Sequence, residues 1–423
     1  MILPCRIHQP RNRVDSLPLA LLFAASLLAL QPGHTRAQPV GEAISQDTAG
    51  STFEEAGVGW LPAIPLQITA GVDTGYDDNV LPLGGSGGSG QGSLFTRENV
   101  TLSYNRPGGR TQFYLLGIGR FDQFLDVGTD DKDGNVTLSL THNFSTRLSF
   151  YANVYAAYQT EPDFSTNVGP ENVRANHFQT NDIFSATYHW LPRFTTVTSY
   201  TFERIKYAGS SQASQDRLQN TLAERLQFSL TSRTNLVGEY RFEIVDYDTA
   251  PRDSMTHFAL AGFDHYLTEH LVIHALGGES FRSFKSDGDV ADPYFEGWLA
   301  YVSSNHTLKW TTNYGVEEPG ATGATAALVR TTIRTGLNLT YGLTSRISST
   351  AAVYYHHDEN EGGASGTSSV GSQDSFDLTL GLRYTINKRF ALHVDYSHSS
   401  VSSLGATPAY SRNRYFAGLN YTY

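Results

Sequence analysis

Two short runs of the sequence place acid–base groups next to one another. His356 and His357 precede Asp358, and Asp77 precedes Asp78. A hydrolytic centre needs a nucleophile, a base and an orienting carboxylate that converge on one face. If these runs lie on β-strands, consecutive side chains point to opposite faces, so the two histidines cannot serve one site. No short stretch places a nucleophile beside its base, and we therefore predict that the protein has no catalytic residues and is not an enzyme.

A third acidic run, Asp-Asp-Lys-Asp-Gly at residues 130–134, looks like the beginning of a calcium-binding loop. A calcium loop of the EF-hand type has twelve residues and closes with a bidentate glutamate. The run lacks both this spacing and the closing glutamate. We therefore predict a solvated acidic loop at 126–134, and we expect neither a metal site nor a cofactor.

Basic side chains recur at alternate positions in segments whose other side is largely apolar, as at Arg330, Arg334 and Arg383. An arginine that faces lipid costs ~2–4 kcal/mol near the middle of a bilayer. The spacing therefore predicts that these side chains face the interior of a barrel. The predicted interior face carries the basic residues Arg97, Arg217, Arg225, Arg241, Lys309, Arg330, Arg334, Arg383, Arg412 and Arg414, and the acidic residues Asp73, Glu239, Glu243, Asp377 and Asp395.

Two roles remain open for these charges. Charges of both signs can pair with one another and stiffen the wall of a filled lumen. In a water-filled lumen they can instead create a field that orients a passing solute. Because basic residues outnumber acidic ones in this set, the second role predicts a net basic interior below an acidic mouth. The candidate lumen and selectivity residues are Arg97, Arg217, Arg225, Arg241, Arg330, Arg334, Arg383, Asp377 and Glu243.

The segments that hold these residues have a period of two. In residues 148–159 and 329–341, mostly apolar side chains alternate with mostly polar ones, and similar segments recur from about residue 66 to the end. Helical spacing would scatter the apolar side chains over several faces. Counting the segments predicts an all-β fold of about 18 antiparallel strands, within a range of 16–18.

The connections between the segments are of two kinds. One set is short, and the other tends to be longer, acidic and rich in Gly and Ser. Short turns on one rim and longer loops on the other are typical of up-and-down transmembrane barrels, whereas a soluble sandwich has no reason to sort its loops. The short set comprises 105–109, 145–147, 191–193, 231–234, 268–270, 303–306, 342–345 and 387–389, and the long set includes 77–92, 126–134, 161–174, 287–292, 317–325 and 358–372.

Three segments fit the pattern poorly. Residues 110–124 and 294–302 alternate weakly, and the strand at 218–230 places Asn220 and Glu224 on its apolar side. A carboxylate on a lipid-facing side requires a position near an interface or a shift of register at a β-bulge.

The composition agrees with a wall that has one lipid side and one wet side. The mean hydropathy is −0.31, yet the chain contains 24 Tyr and 23 Phe. No apolar run after residue 37 approaches the ~20 residues of a transmembrane helix. Aromatic side chains gather at strand ends, as two membrane interfaces would favour. Those near the short turns include Tyr104, Trp190, Phe194, Phe228, Tyr301, Trp310, Tyr341, Tyr384 and Phe390, and those near the long loops include Tyr76, Tyr158, Tyr247, Tyr314, Tyr355, Phe376 and Tyr396.

The first 37 residues are organised as a secretory signal peptide. Arg6, Arg11 and Arg13 precede an apolar run at 17–30, and the small residue Ala37 follows a short polar stretch. A membrane anchor is the alternative, but the run is short for a bilayer span. The net charge of −11 disfavours nucleic acid as a partner, because phosphate binding requires clustered positive charge. We predict a signal peptide at 1–37, a flexible periplasmic segment at 38–65 and a transmembrane β-barrel at 66–423.

Two short stretches resemble known outer-membrane proteins. Tyr415, Leu419, Tyr421 and Tyr423 share one face at the end of the chain, which is similar to the C-terminal signature that the barrel assembly machinery reads. Residues 75–80, Gly-Tyr-Asp-Asp-Asn-Val, resemble the first strand of a family of outer-membrane β-barrel porins that ends in Tyr-Asp-Asp-Asn. The resemblance implies a bacterial outer-membrane location, with lipid, lipopolysaccharide and the assembly machinery as partners. Some barrels that resemble this family are linked with exopolysaccharide export.

A barrel of about 18 strands spaced ~4.8 Å apart and tilted by ~40° has a backbone diameter of roughly 35 Å. Porins of this strand number enclose an aqueous channel. We therefore predict a porin-like channel for hydrophilic solutes across the outer membrane. Two alternatives remain: a terminal conduit for a secreted polysaccharide, and a closed structural or adhesive barrel.

Overall fold

The structure, a computed structural model, describes residues 66–80, 90–160, 175–209, 213–285, 288–318, 329–361, 371–403 and 409–423. The predicted signal peptide and periplasmic segment, at 1–37 and 38–65, lie outside these residues, as do parts of the predicted long loops. In the described ranges, no helix has the length and apolar character that a membrane span requires.

Eighteen strands and one short 3-10 helix, Ala213–Gln215, make up the described chain. In chain order the strands are β1 (Leu66–Asp77), β2 (Ser93–Arg106), β3 (Thr111–Phe124), β4 (Asp130–Asn143), β5 (Leu148–Gln159), β6 (His177–Leu191), β7 (Phe194–Tyr207), β8 (Arg217–Ser229), β9 (Thr234–Tyr247), β10 (Ser254–Tyr266), β11 (Leu271–Phe284), β12 (Asp289–Val302), β13 (His306–Glu317), β14 (Val329–Gly342), β15 (Ile347–Glu361), β16 (Gly371–Thr385), β17 (Phe390–Val401) and β18 (Tyr410–Thr422).

Every strand pairs antiparallel with its neighbours in sequence, and β1 pairs with both β2 and β18. The register of the closing pair runs from Thr69 opposite Thr422 to Asp77 opposite Arg414. The sheet therefore closes into an up-and-down barrel of 18 strands, which confirms the predicted fold class and strand number. Both ends of the described barrel lie at the rim of the short turns.

Alternation along each strand separates an inward side from an outward side. On β14, Ile333, Leu337 and Tyr341 are exposed and point outward, whereas Arg330 and Thr332 are buried and point inward. The inward or outward placement of side chains on the other strands follows from the pairing, because residues that pair directly across two strands lie on the same side of the sheet. Large apolar side chains are thus exposed on the outside of the barrel, where a lipid bilayer supplies their surroundings.

The strands that alternate poorly carry apolar side chains on the inward side as well. Phe124 at the end of β3 is buried against Phe95 of β2 and Val80, and Tyr294 of β12 packs against a buried cluster that includes Phe258. An inward apolar residue interrupts the apolar–polar period without changing the backbone. This explains why residues 110–124 and 294–302 have a weak pattern although both segments form regular strands.

The two polar side chains on the apolar side of β8 have hydrogen-bond partners on β7. Glu224 Oε2 accepts from the Thr198 hydroxyl at 2.6 Å, and Asn220 Oδ1 accepts from the Tyr200 hydroxyl at 2.7 Å. The pairing of β7 with β8 continues without a break from Phe194 to Ile205. The bulge that the sequence suggested at this place is therefore absent from β8, and cross-strand hydrogen bonds instead reduce the cost of polar groups on the outward side.

Four predictions at the rim of the long loops are wrong. The predicted loop at 287–292 is shorter than expected, because β12 already begins at Asp289. Residues 130–134 belong to β4 rather than to an acidic loop, with Asp131 buried on the inward side and Lys132 exposed on the outward side. Strand β15 continues to Glu361, three residues beyond the predicted start of its loop at Asp358. Tyr247 does not join the outward aromatic belt, because it lies on the inward side of β9 and is buried.

Asp77 fastens the first strand to the last at the rim of the long loops. Its carboxylate is fully buried and accepts from Arg412 Nε at 2.9 Å and from Arg414 Nε at 3.1 Å. Both arginines lie on β18, so the ion pairs cross the β1–β18 seam. The first acid of the Tyr-Asp-Asp-Asn stretch thus has a structural role.

The next two residues of this stretch hold the outward side of the same seam. Asp78 Oδ1 accepts from the backbone N–H of Asn413 at 2.6 Å, and Asn79 Nδ2 donates to the carbonyl of Ser411 at 2.9 Å. Val80 then turns inward and is buried against Phe95. The stretch that resembles the porin family therefore closes the barrel at one rim.

The topology can be tested by labelling on intact cells. Ala208 is exposed at the rim of the long loops, and Ser232 is exposed in a short turn at the opposite rim. In a chain without Cys5, we expect Ala208→Cys to react with a membrane-impermeant maleimide and Ser232→Cys to react only after the outer membrane is opened. Labelling of Ser232→Cys alone on intact cells would show that the barrel is inserted the other way round.

The seam predicts a large effect of a small substitution. Asp77→Asn removes the buried carboxylate that pairs with Arg412, which is buried, and with Arg414, which is half-buried, and the loss of one partner of a buried ion pair costs about 3–5 kcal/mol. We expect a clear drop in the midpoint of thermal unfolding in detergent. Asp246→Asn is the control, because it removes an exposed outward carboxylate from the end of β9 that lies at the rim of the long loops. It should change the midpoint little. Equal midpoints for the two variants would exclude the role assigned to Asp77.

Candidate functional site in the charged lumen

The structure places all nine candidate lumen residues on the inward side of their strands. Their surroundings differ: most of the arginines contact carboxylates, whereas Asp377 Oδ1 accepts from the Ser399 hydroxyl at 2.6 Å. Arg383 lies between Ser348 and His393 in the register of β15, β16 and β17. The nine residues are Arg97, Arg217, Arg225, Arg241, Arg330, Arg334, Arg383, Asp377 and Glu243.

Arg241 connects four strands on one side of the lumen. Its guanidinium pairs with Glu239 on its own strand and reaches across β10 and β11 to Glu296 on β12, with Nη2 2.6 Å from Oε1. The Tyr294 hydroxyl donates to Glu296 at 2.7 Å. Arg225 of β8 also pairs with Glu239. This network ties strands β8 to β12 together from the inside.

A second set of ion pairs lies towards the rim of the long loops. Arg334 Nη2 is 2.6 Å from Glu317 Oε1, which joins β14 to the end of β13. Arg330 is 3% exposed, and its Nη1 is 3.5 Å from Asp358 Oδ2 on β15. Both arginines therefore have carboxylate partners in the wall, although neither partner was among the candidates drawn from the sequence.

The opposite side of the lumen has a separate network. Arg97 of β2 forms a bidentate ion pair with Asp122 of β3, in which both nitrogen–oxygen distances are 2.6 Å. The Arg97 guanidinium also lies 4.7 Å from the centre of the Phe416 ring. Because β2 and β11 face each other in a ring of 18 strands, the lumen has charged walls on both sides.

A glycine makes room for one of these contacts. Asp73 Oδ1 of β1 is 3.0 Å from His393 Nε2 of β17, and the contact passes over Gly418 of β18. A Cβ atom at Gly418 would lie 1.8 Å from Asp73 Oδ1. The glycine therefore allows a carboxylate of the first strand to reach past the last strand.

The prediction of a net basic interior is wrong for the described residues. The inward side also carries the basic residues Arg120 and Arg282, but a larger group of additional carboxylates lies on it. Most of these carboxylates lie on weakly alternating strands or at strand ends that look like loops in the sequence, which is why the sequence did not reveal them. Glu203 and Asp264 lie within regular strands, β7 and β10. The additional inward carboxylates are Asp77, Asp122, Asp131, Asp133, Glu203, Asp264, Asp292, Glu296, Glu317 and Asp358.

The C-terminal residues lie on the outward side of β18. Tyr415 packs against Tyr396 with ring centres 4.9 Å apart, and Tyr421 packs against Phe390 at 5.2 Å. Leu419 is exposed on the same side, and the side chain of Tyr423 is the most exposed large apolar one, at 79%. The four predicted signal residues thus form one outward aromatic and aliphatic row.

The histidine pair has the arrangement that its sequence predicts. His356 is buried on the inward side, whereas His357 lies outward with Nδ1 2.8 Å from Asp374 Oδ1. The Tyr355 hydroxyl donates to the same carboxylate at 2.7 Å. The two histidines therefore belong to different surfaces of the barrel.

A closed barrel with an apolar outer side and a charged, hydrogen-bonded inner side defines a membrane-spanning β-barrel protein. Residues 69–423 match the model of a protein family described as "Putative beta-barrel porin 2". The chain belongs to this family. It is a porin-like channel protein of the bacterial outer membrane, surrounded by membrane lipid and built for hydrophilic solutes.

Solved outer-membrane proteins resemble the chain at low sequence identity. The outer-membrane protein OpdK from Pseudomonas aeruginosa is 11% identical, with 85% of this chain and 99% of that chain covered and a TM-score of 0.42. OccAB3 from Acinetobacter baumannii is also 11% identical, with coverage of 85% and 99% and a TM-score of 0.41. The siderophore receptor PirA from P. aeruginosa is 10% identical, with coverage of 86% and 81% and a TM-score of 0.38. No match to a curated protein was found.

Replacement of a glutamate by glutamine should have opposite effects on stability on the inward and outward sides of the barrel. Glu296→Gln removes an inward charge that pairs with Arg241, and we expect a loss of about 1–3 kcal/mol in stability. Glu279→Gln removes an exposed carboxylate from the outward side of β11, where lipid disfavours charge, so stability should stay equal or rise. Thermal unfolding of both variants in lipid vesicles measures the difference. A greater loss for Glu279→Gln would reverse the assignment of the two sides.

Proposed function

We propose that small hydrophilic solutes pass between the two charged walls of the lumen, and that the inward arginines determine which solutes pass. The observation that carries this proposal is the arrangement of arginine–carboxylate pairs on facing sides of one barrel, on β2–β3 and on β8–β15. Pairs of opposite charge hold the walls rigid and still present a local field to a solute. Passage is guided by this field.

Within this proposal the nine candidate residues have different roles. Arg97, Arg225, Arg241 and Arg330 stiffen the wall because each contacts a carboxylate on a neighbouring or nearby strand. Arg334 contacts a carboxylate at the end of β13 and keeps 20% of its side chain exposed, a fraction between those of Arg241 (18%) and Arg225 (26%), so it meets both the wall and the solute. Its position makes Arg334 the best single test of selectivity.

We propose no enzymatic activity for the barrel. This is supported by the separation of His356 and His357 on opposite sides of β15. The alternative of a polysaccharide conduit receives no support from the family match, and no described contact favours it over the passage of small solutes. A closed structural barrel is an outcome of the conductance test below.

The outward side supports two further proposals about partners. The aromatic residues at the two rims would lie at the lipid headgroups, with lipopolysaccharide around the rim of the long loops. The outward row of Tyr415, Leu419, Tyr421 and Tyr423 is available to the barrel assembly machinery before β1 and β18 pair. The predicted signal peptide at 1–37 would direct the chain across the inner membrane.

Reversal potentials in a salt gradient test the selectivity role. Arg334→Gln leaves Glu317 without one cationic partner, so we expect a shift towards cations with the barrel still folded. Arg346→Gln, in a short turn between β14 and β15, removes the same charge outside the lumen and should leave the reversal potential unchanged. If Arg334→Gln leaves the reversal potential unchanged and lowers the unfolding midpoint, this arginine is only a contact within the wall. If the wild-type barrel conducts no ions, the closed structural barrel is favoured instead.

A further inference from the structure

Residues from several strands and connections meet at the rim of the long loops, inside the mouth of the barrel. Arg217 begins β8, Tyr247 ends β9, and the two are direct cross-strand partners on the inward side. Arg252 lies in the connection from β9 to β10, and its guanidinium is 4.3 Å from the centre of the Tyr247 ring. We call Arg217, Tyr247 and Arg252 the mouth cluster.

A carboxylate of the chain itself lies against this cluster. Glu318, the residue after β13, accepts from the Tyr247 hydroxyl at 2.5 Å and from Arg282 Nη1 at 2.7 Å. Burial pushes the pKa of Glu318 up, but Arg282, Arg217 and Arg252 outweigh that effect and hold the pKa below its ordinary value. The Glu318 carboxylate therefore already lies beside the hydroxyl and guanidinium groups of the mouth cluster.

Glu318 does not satisfy all the hydrogen-bond donors of the mouth cluster. Arg217 and Arg252 are 7% and 8% exposed, and neither Arg217 Nε nor Arg252 Nη1 has a hydrogen-bond partner among the described residues. Arg252 Nη2 donates only to neutral oxygens, Ser214 O at 2.8 Å and Gln215 Oε1 at 2.9 Å. Burial lowers the pKa of Arg252, and the neighbouring guanidinium of Arg217 lowers it further.

Buried donors that lack acceptors are costly, and the cost is larger when the donor is charged. Several other arginines of this lumen have close carboxylates, as Arg97 has Asp122 and Arg334 has Glu317. The mouth cluster differs because its two guanidinium groups retain free N–H donors beside a tyrosine hydroxyl. Carboxylate oxygens match guanidinium and hydroxyl donors in both charge and geometry.

We propose that Arg217, Arg252 and Tyr247 bind the carboxylate group of a small solute that enters the channel, and that Glu318 is a built-in competitor displaced from this site by the solute. The inference rests on the proposed channel function and names the class of solute for it. Glu318 shields the buried arginines when no solute is present. Exchange of one carboxylate for another keeps the charge in direct contact with the mouth cluster nearly constant during entry.

Binding to the purified full-length barrel in detergent tests the site without any need for conductance. The probe is sodium acetate, and the readout is the rise of the unfolding midpoint with probe concentration. Acetamide serves as the neutral isostere, and sodium chloride at equal ionic strength serves as the salt control. We expect acetate alone to stabilise the wild type. Arg217→Gln and Arg252→Gln should each weaken acetate binding by about tenfold or more, whereas Glu318→Gln should tighten it by about tenfold. Arg346→Gln is the matched control and should bind acetate like the wild type.

The Glu318→Gln variant keeps the proposal falsifiable if an arginine variant fails to fold, because it retains the whole mouth cluster. Acetate affinity that does not rise in Glu318→Gln would refute the competitor role, and equal stabilisation by acetate and chloride would refute the site. Inorganic phosphate that binds as tightly as acetate would overturn the carboxylate assignment. Potassium chloride conductance in planar bilayers is measured separately, so a channel that conducts but does not bind acetate fails this inference alone.

Discussion

The pairing of β1 with β18 is the contact on which the rest of the structure depends. Lipid offers no hydrogen-bond partner to a strand edge, so a sheet can span a membrane only if its first and last strands join. The seam is reinforced where it ends: Asp77 binds two arginines of β18 on the inward side, and Asp78 binds Asn413 on the outward side. Within the barrel, Gly418 lets Asp73 reach across the seam to His393. The residues that resemble the porin family thus serve closure first, and the channel exists because of that closure.

Closure divides the side chains into two environments that differ in what they tolerate. The outward side accepts charge only at a cost, whereas the inward side can hold arginines and carboxylates if they pair. Arg241 shows how far this pairing extends, because its contacts with Glu239 and Glu296 span strands β9 to β12. Such pairs make a rigid wall with little net charge, and hydrogen-bond donors remain available to a solute where the pairing is incomplete. The mouth cluster is such a place, with buried guanidinium donors next to a single carboxylate.

Much of this architecture could be predicted from the sequence. The period of two gave the strand number and placed Arg330, Arg334 and Arg383 on the side that faces inward in the structure. The same parity also places Tyr247 inward with Glu239 and Glu243, whereas its position near a loop suggests the outward belt. The balance of charge in the lumen was not predictable in the same way. Asp131, Glu317 and Asp358 lie at strand ends, where acidic residues and loop residues have the same local appearance, so their contribution to the interior was missed.

The sequence by itself determined the class of fold, the side of the wall on which each regular residue lies, and the polar interior, because alternation is a local property of an extended backbone. Only the tertiary structure decided which charges meet. Arg241, Arg334 and Tyr247 contact Glu296, Glu317 and Glu318, which lie on other strands or in a connection. These distances depend on barrel closure and on the reach of long side chains across it. The meeting of Tyr247, Arg217 and Arg252 with Glu318 follows from that geometry, since no spacing in the sequence relates these four residues.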